Sequence, residues 1–227
     1  VLLDLESEPV EKLVSEINYK YDVDATGYVV DITSEKETEK NCNVIHKRYG
    51  KIDALVNNAA NNPKVEDQEG KNFSRLENFP IANWNADVAV GLTGTFLCAK
   101  HYGTAISTNS NGGVIVNISS DLGLIAPDQR LYEQPDLQEG QQPVKPVTYS
   151  VIKTGLIGLT RYLATYWPAR VRCNALCPGG VDSNLPKEFV EKVTERIPMG
   201  RMATPSEYQG ALIFLLSTFI FIPFFIV

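Results

Sequence analysis

The chain has 227 residues, 44% of them apolar, and a formal net charge of −6 with no block of like charge. That length suits one domain around one sizeable core, and the acidic balance argues against a basic nucleic-acid surface. Four cysteines without a C-x-x-C pair argue against a disulfide framework, and two histidines, His46 and His101, leave too few soft ligands for a closed zinc site.

The residues open on an apolar run, Val1–Leu3, that reads as a strand, with no charged-then-apolar leader. A helix is predicted over Pro9–Lys20, a strand over Gly27–Val30, a helix over Glu35–Tyr49 and a buried strand over Ala54–Val56. A long helix follows over Trp84–Ala105, then an apolar strand over Val114–Ile118. Residues 121–147 are polar and aperiodic, which reads either as a substrate-facing insertion or as a surface excursion. A helix over Thr148–Trp167, a strand over Val171–Leu176 and helices over Glu188–Arg196 and Ser206–Leu216 complete the pattern. The stretch Ala211–Val227 is almost wholly apolar. It reads as a buried helix with an atypical tail, a membrane anchor being the alternative.

Apolar strands without alternation are buried on both faces, and strands alternating with helices imply right-handed crossovers in a parallel sheet. The predicted fold is therefore α/β, a doubly wound parallel sheet in one domain over residues 1–227, with its ligand at the carboxyl ends of the strands.

Four segments carry chemistry. Tyr149 and Lys153 form a Y-x-x-x-K pair, which shares one helix face. A free phenol has a pKa of about 10. A nearby ammonium stabilises the phenolate and makes the tyrosine a usable acid or base; a solvated helix face is the plain alternative. Gly155 and Gly158 follow inside the same helix, where each costs about 1 kcal/mol relative to alanine, and so suggest close packing. The strand in G-G-V-I-V-N-I-S-S ends in Ser119 and Ser120, placed to bond a substrate oxygen. The strand in G-K-I-D-A-L-V-N-N-A-A ends in small polar residues, and R-C-N-A-L-C-P-G-G-V breaks at Pro178, Gly179 and Gly180. Cys173 and Cys177 read as core residues.

In this order the segments resemble the short-chain dehydrogenase/reductase family, from Val1 to about Leu216. The resemblance implies a Rossmann-like domain in which Ser120, Tyr149 and Lys153 are catalytic. Tyr149 would exchange the proton, Lys153 would lower its pKa and bind the nicotinamide ribose, and Ser120 would hold the substrate oxygen. Asp31 and Ile32 would lie by the adenine, Asn57 and Ala59 by the adenosine ribose, and Pro178, Gly179 and Val181 by the nicotinamide. No metal is implied. Asp4 ends the first apolar run, where a carboxylate bonds a ribose 2′-hydroxyl and repels a 2′-phosphate. NAD is therefore favoured over NADP.

The implied activity is NAD(P)-dependent hydride transfer between nicotinamide and an alcohol or ketone. The polar stretch 121–147 favours a hydroxylated, sugar-like substrate over a steroid or fatty acyl chain. Pairing through helices 84–105 and 148–167 into a homodimer or homotetramer is implied, with a cytoplasmic setting and no nucleic-acid or membrane partner.

Three departures stand against this. No Gly-rich turn precedes Val1, so the family's first strand, its phosphate-cradling turn and its first helix are not among these residues. Thr218–Val227 is unlike the family's final strand, and Gly91 stands in V-A-V-G-L-T-G-T-F-L-C where the family often has a catalytic Asn. They motivate a second reading, a cofactor-incompetent fragment or non-catalytic binding protein. A sugar-nucleotide epimerase or dehydratase is a third, against which N-N-A-A and the short chain argue.

Overall fold

Among the described residues, alternating apolar and amphipathic runs give five parallel strands, β1 Leu2–Asp4, β2 Gly27–Val29, β3 Ala54–Asn57, β4 Gly113–Ile118 and β5 Val171–Leu176. The computed structural model describes residues 1–61 and 74–217, so the apolar tail Thr218–Val227 lies outside the described residues. The helices are α1 Ser7–Lys20, α2 Glu35–Tyr49, α3 over residues 81–107, α4 Val147–Tyr166, α5 Lys187–Thr194 and α6 Gln209–Leu216. The predicted elements all form and differ only at their ends. The expected start of the last helix at Ser206 is instead a 3-10 turn, Pro205–Tyr208, closed by a capping box between Thr204 and Glu207.

Local sequence explains the boundaries. The Ser34 hydroxyl accepts from the Glu37 amide to start α2, and Gly50 ends it in the left-handed region at φ 77°. Helix α3 widens twice into π-helical turns, over Ala89–Gly94 and Ala99–Gly103.

The core lies on both faces of β4. Ile115 packs with Ala99 and Ile106 of α3 and Leu163 of α4. Val114 and Val116, on the opposite face, pack against Leu215 of α6. A second cluster, Cys42, Ile45, Cys98 and Tyr102, joins α2 to α3. Helices on both faces of parallel strands are the doubly wound α/β arrangement of one Rossmann-like domain.

The parallel strands fall into two sets among the described residues: β1 pairs with β2, and β3, β4 and β5 form a second set in that order. Between β1 and β3 lies a slot of about 800 Å³, walled by Val1–Asp4 on one side and residues 53–59 on the other. Among the described strands β4 alone is hydrogen-bonded along both edges, and its middle is buried on both faces, Val114, Ile115 and Val116 being 3%, 0% and 0% exposed. Val29, on β2, and Val56, facing the slot, are 57% and 38% exposed.

Alternation along a parallel ladder tells which backbone groups face the slot. Leu2 N–H donates to the Thr26 carbonyl and Val30 N–H to that of Asp4, so Leu3 faces away from β2. Val114 N–H donates to the Asp53 carbonyl, so Ala54 and Val56 face away from β4. Hydrogen exchange should therefore be faster at the Leu3, Ala54 and Val56 amides than at Ile115 and Val116, by about a hundredfold or more. Equal protection would show that the slot is closed in solution.

Candidate active site

Parallel pairing brings the carboxyl ends of β4 and β5 side by side, with Ser119 N–H donating to the Leu176 carbonyl and Asp121 N–H to that of Pro178. Helix α4 packs across that edge. Its Lys153 ammonium donates to the Ile118 carbonyl at 2.8 Å, and the Ser119 hydroxyl donates to the Lys153 carbonyl at 2.7 Å. Burial holds Lys153 below the ordinary lysine pKa, and the neighbouring Cys177 acts weakly the other way. One turn earlier is Tyr149, with the Lys153 ammonium 5.7 Å from its ring centre.

Ser120 is 5% exposed and caps the short turn Asp121–Gly123. Its hydroxyl donates to Asp121 Oδ1 at 2.8 Å and accepts from the Leu122 amide at 3.2 Å. Serine has one proton and two lone pairs, so a single lone pair remains. A substrate oxygen seeking that proton competes with the Asp121 carboxylate.

Most of the residues expected at the cofactor fall into two groups. Asp4, Ile32, Asn57 and Ala59 all line the slot between the sheets. Pro178, Gly179 and Val181 follow β5, beside Asp121: the Gly179 amide donates to the Tyr208 hydroxyl at 3.0 Å, and Val181 bridges to Ala203. Asp31 is turned onto its own loop, where Oδ1 accepts from the Thr33 amide and hydroxyl. Asn57 is buried, and its amide donates to Asn117 Oδ1, which belongs to a chain reaching Thr160 on α4. Asn57 thus ties β3, β4 and α4 together. Asp4 Oδ1 accepts from the Leu5 and Glu6 amides at the exposed end of β1.

Cys173 is buried as expected, but Cys177 is half-buried beside Ser119, Ser120 and Lys153, at the site rather than in the core. Gly155 meets the expectation of close packing, since a Cβ there would lie 2.7 Å from Leu92. Gly158 does not, having nothing within 4 Å of that position.

Three residues near Tyr149 carry no signal in the motifs. Lys145 places its ammonium 3.8 Å from the Tyr149 ring centre. Asp121 follows the serine pair directly, and that adjacency is the one available clue to it. Tyr132 sits in the polar stretch, with its phenol pushed up to about 12 by burial and then by Tyr149 and Asp121. That stretch is not free of structure. It holds the 3-10 turns Gln129–Tyr132 and Glu139–Gln141. It is fastened to α5 by Tyr132 against Phe189 and to the turn after α5 by Asp128–Arg196.

Among the described residues no group of three His, Cys, Asp or Glu side chains is placed to hold a metal, and no helix is long and apolar enough to cross a membrane.

The short-chain dehydrogenase profile matches residues 1–132, and that of the enoyl-(acyl carrier protein) reductases matches residues 138–220. The chain belongs to the short-chain dehydrogenase family. It is 28% identical to the NADP-dependent mannitol dehydrogenase of Hypocrea jecorina, over 92% of this chain and 71% of that protein. It is 31% identical to the 3-oxoacyl-[acyl-carrier-protein] reductase FabG of Aquifex aeolicus, over 96% of this chain and 79% of that protein. Among solved structures, NAD+-bound xylitol dehydrogenase superposes with a TM-score of 0.77 at 26% identity, covering 96% of this chain and 83% of the other. Membership makes the protein an oxidoreductase of the type that uses NAD or NADP between alcohols and carbonyls.

A side chain at position 91 has no room beside Ile152. A Cβ at Gly91 would lie 2.5 Å from Ile152 Cγ2, on the face where α3 meets α4. Gly91→Asn should lower stability by about 1–3 kcal/mol through overpacking. Combined with Ile152→Ala in a thermal-melt cycle, it should cost about 1 kcal/mol less than the sum of the single changes. Strict additivity would show that this contact is not the cause.

Proposed function

We propose that the chain transfers hydride between a nicotinamide cofactor and a small polyol or its ketone, with Tyr149 as the acid/base. The observation that carries this is the joint at the end of β4, where Lys153 is bound to Ile118 and Ser119 while its ammonium faces the Tyr149 ring. Tyr149 exchanges the proton with the substrate oxygen, and the adjacent ammonium stabilises the phenolate. Ser120 holds that oxygen once its proton leaves Asp121.

The cofactor, when bound, supplies or accepts the hydride. Asp4, Ile32 and Ala59 would hold its adenosine half from the slot, and Pro178, Gly179 and Val181 its nicotinamide half. Asp31 would serve the adenine through its loop, and Asn57 by keeping the β3 end in place rather than by a free side chain. Asp4 has an exposed carboxylate at a strand end, which favours NAD. The mannitol and xylitol dehydrogenases among the similar proteins support a hydroxylated substrate. Residues 121–147 border the site through Asp121, Tyr132 and Lys145, so we assign them the substrate-facing wall. A cytoplasmic setting rests on four free cysteines.

Tyr149→Phe should lower turnover of D-mannitol or xylitol by about a hundredfold or more and leave NADH binding intact; full turnover in that variant sinks the assignment. In nicotinamide fluorescence titrations NADH should bind more tightly than NADPH, and Asp4→Ala should narrow the gap. A folded chain that binds neither would favour the reading as a non-catalytic fragment.

Phe96 on α3 and Tyr162 and Tyr166 on α4 are exposed at 51%, 60% and 57%, which supports self-association through those two helices. Sedimentation should show a dimer or tetramer that Phe96→Glu with Tyr162→Glu converts to monomer. A wild-type monomer removes that part of the proposal.

A further inference from the structure

Two ammonium groups approach Tyr149, and the closer one is not that of the Y-x-x-x-K pair. Lys145 Nζ lies 3.8 Å from the ring centre and Lys153 Nζ lies 5.7 Å from it. We propose that Lys145 is a second positioning cation for Tyr149, clamping the ring face and favouring the phenolate by its charge.

The backbone at Lys145 is built to hold that pose. Buried prolines, Pro143 and Pro146, flank it closely, and its amide donates to Gln129 Oε1 at 2.8 Å. Among the described residues its ammonium forms no ion pair with a carboxylate and lies over the Tyr149 ring. A cation over a ring is attracted by the negative face of the π system, more strongly where water is partly excluded. Ionisation spreads further negative charge over that ring, so the attraction grows in the phenolate and the cation favours that form.

The other groups facing this spot come from every neighbouring element. Lys153 comes from α4, Asp121 from the turn after β4, and Tyr132 from the polar stretch, while Cys177 at the end of β5 faces Lys153. Burial is the main influence holding Lys145 below the ordinary lysine range, with Lys153 adding to it and Asp121 opposing it. Asp121 therefore helps to keep the second cation charged beside Tyr149.

The functional meaning of this contact rests on Tyr149 being the acid/base, but its test does not. Phenolate absorbance near 295 nm, followed against pH in the full chain with a Tyr149→Phe control subtracted, isolates the ionisation of Tyr149. In a Lys145→Met background that transition should move to higher pH, and Lys145→Arg should keep the wild-type midpoint. Should Lys145→Met not fold, Lys145→Gln drops the charge and keeps a polar chain. An unchanged midpoint without the charge overturns the proposal, as does an equal shift in Lys145→Arg. Turnover of the Tyr149→Phe variant decides the acid/base reading separately.

Discussion

Strand β4 is hydrogen-bonded to β3 on one edge and to β5 on the other, and its middle residues are sealed by α3 and α4 on one face and by α6 on the opposite face. A strand so enclosed has little freedom to slip, because a shift of one residue would turn Ile115 and Val116 to the wrong sides. Its register therefore fixes where Ile118, Ser119 and Ser120 emerge. Lys153 reads that register directly through Ile118 and Ser119. The position of α4 is thus inherited from the ladder, and Tyr149 is carried by it. A buried polar chain from Asn57 through Asn117 to Thr160 adds a second tie between strands and helix. Each of these groups is satisfied, which makes the tie specific rather than costly.

Much of this was legible in the sequence because the strongest signals are also the most local. A short run dominated by β-branched residues, such as Val114–Ile118, has few alternatives to a buried strand, and Tyr149 with Lys153 need only a helix to share a face. The order of the four motifs then carried the family. What stayed hidden depends on partners distant in sequence. The separation of the two sheets is a matter of which strands meet, and no single segment encodes it. Gly155 and Gly158 look alike in sequence, yet only one faces Leu92. Cys177 reads as apolar filler until the end of β5 is set beside that of β4.

Lys145 shows the same limit at the site. It lies in an aperiodic stretch with prolines nearby, where neither helix nor strand spacing says where a side chain goes. Its path over Tyr149 becomes clear only once α4 begins at Val147 and the chain before it is anchored to Gln129. Asn57 is the converse case. A small polar residue at a strand end suits a cofactor, but burial and a partner in Asn117 give it a structural task first.

Asp128 gathers Arg130 and Arg196 on one carboxylate, and Oδ2 accepts from each at 2.8 Å. Those two guanidinium groups hold its carboxyl well below the usual range. Lys192 of α5 adds a bond to the Glu133 carbonyl, and Tyr132 leans on Phe189. The wall beside Tyr149 and helix α5 are therefore one mechanical part. That wall is not a loose loop but a braced segment whose far end is a helix.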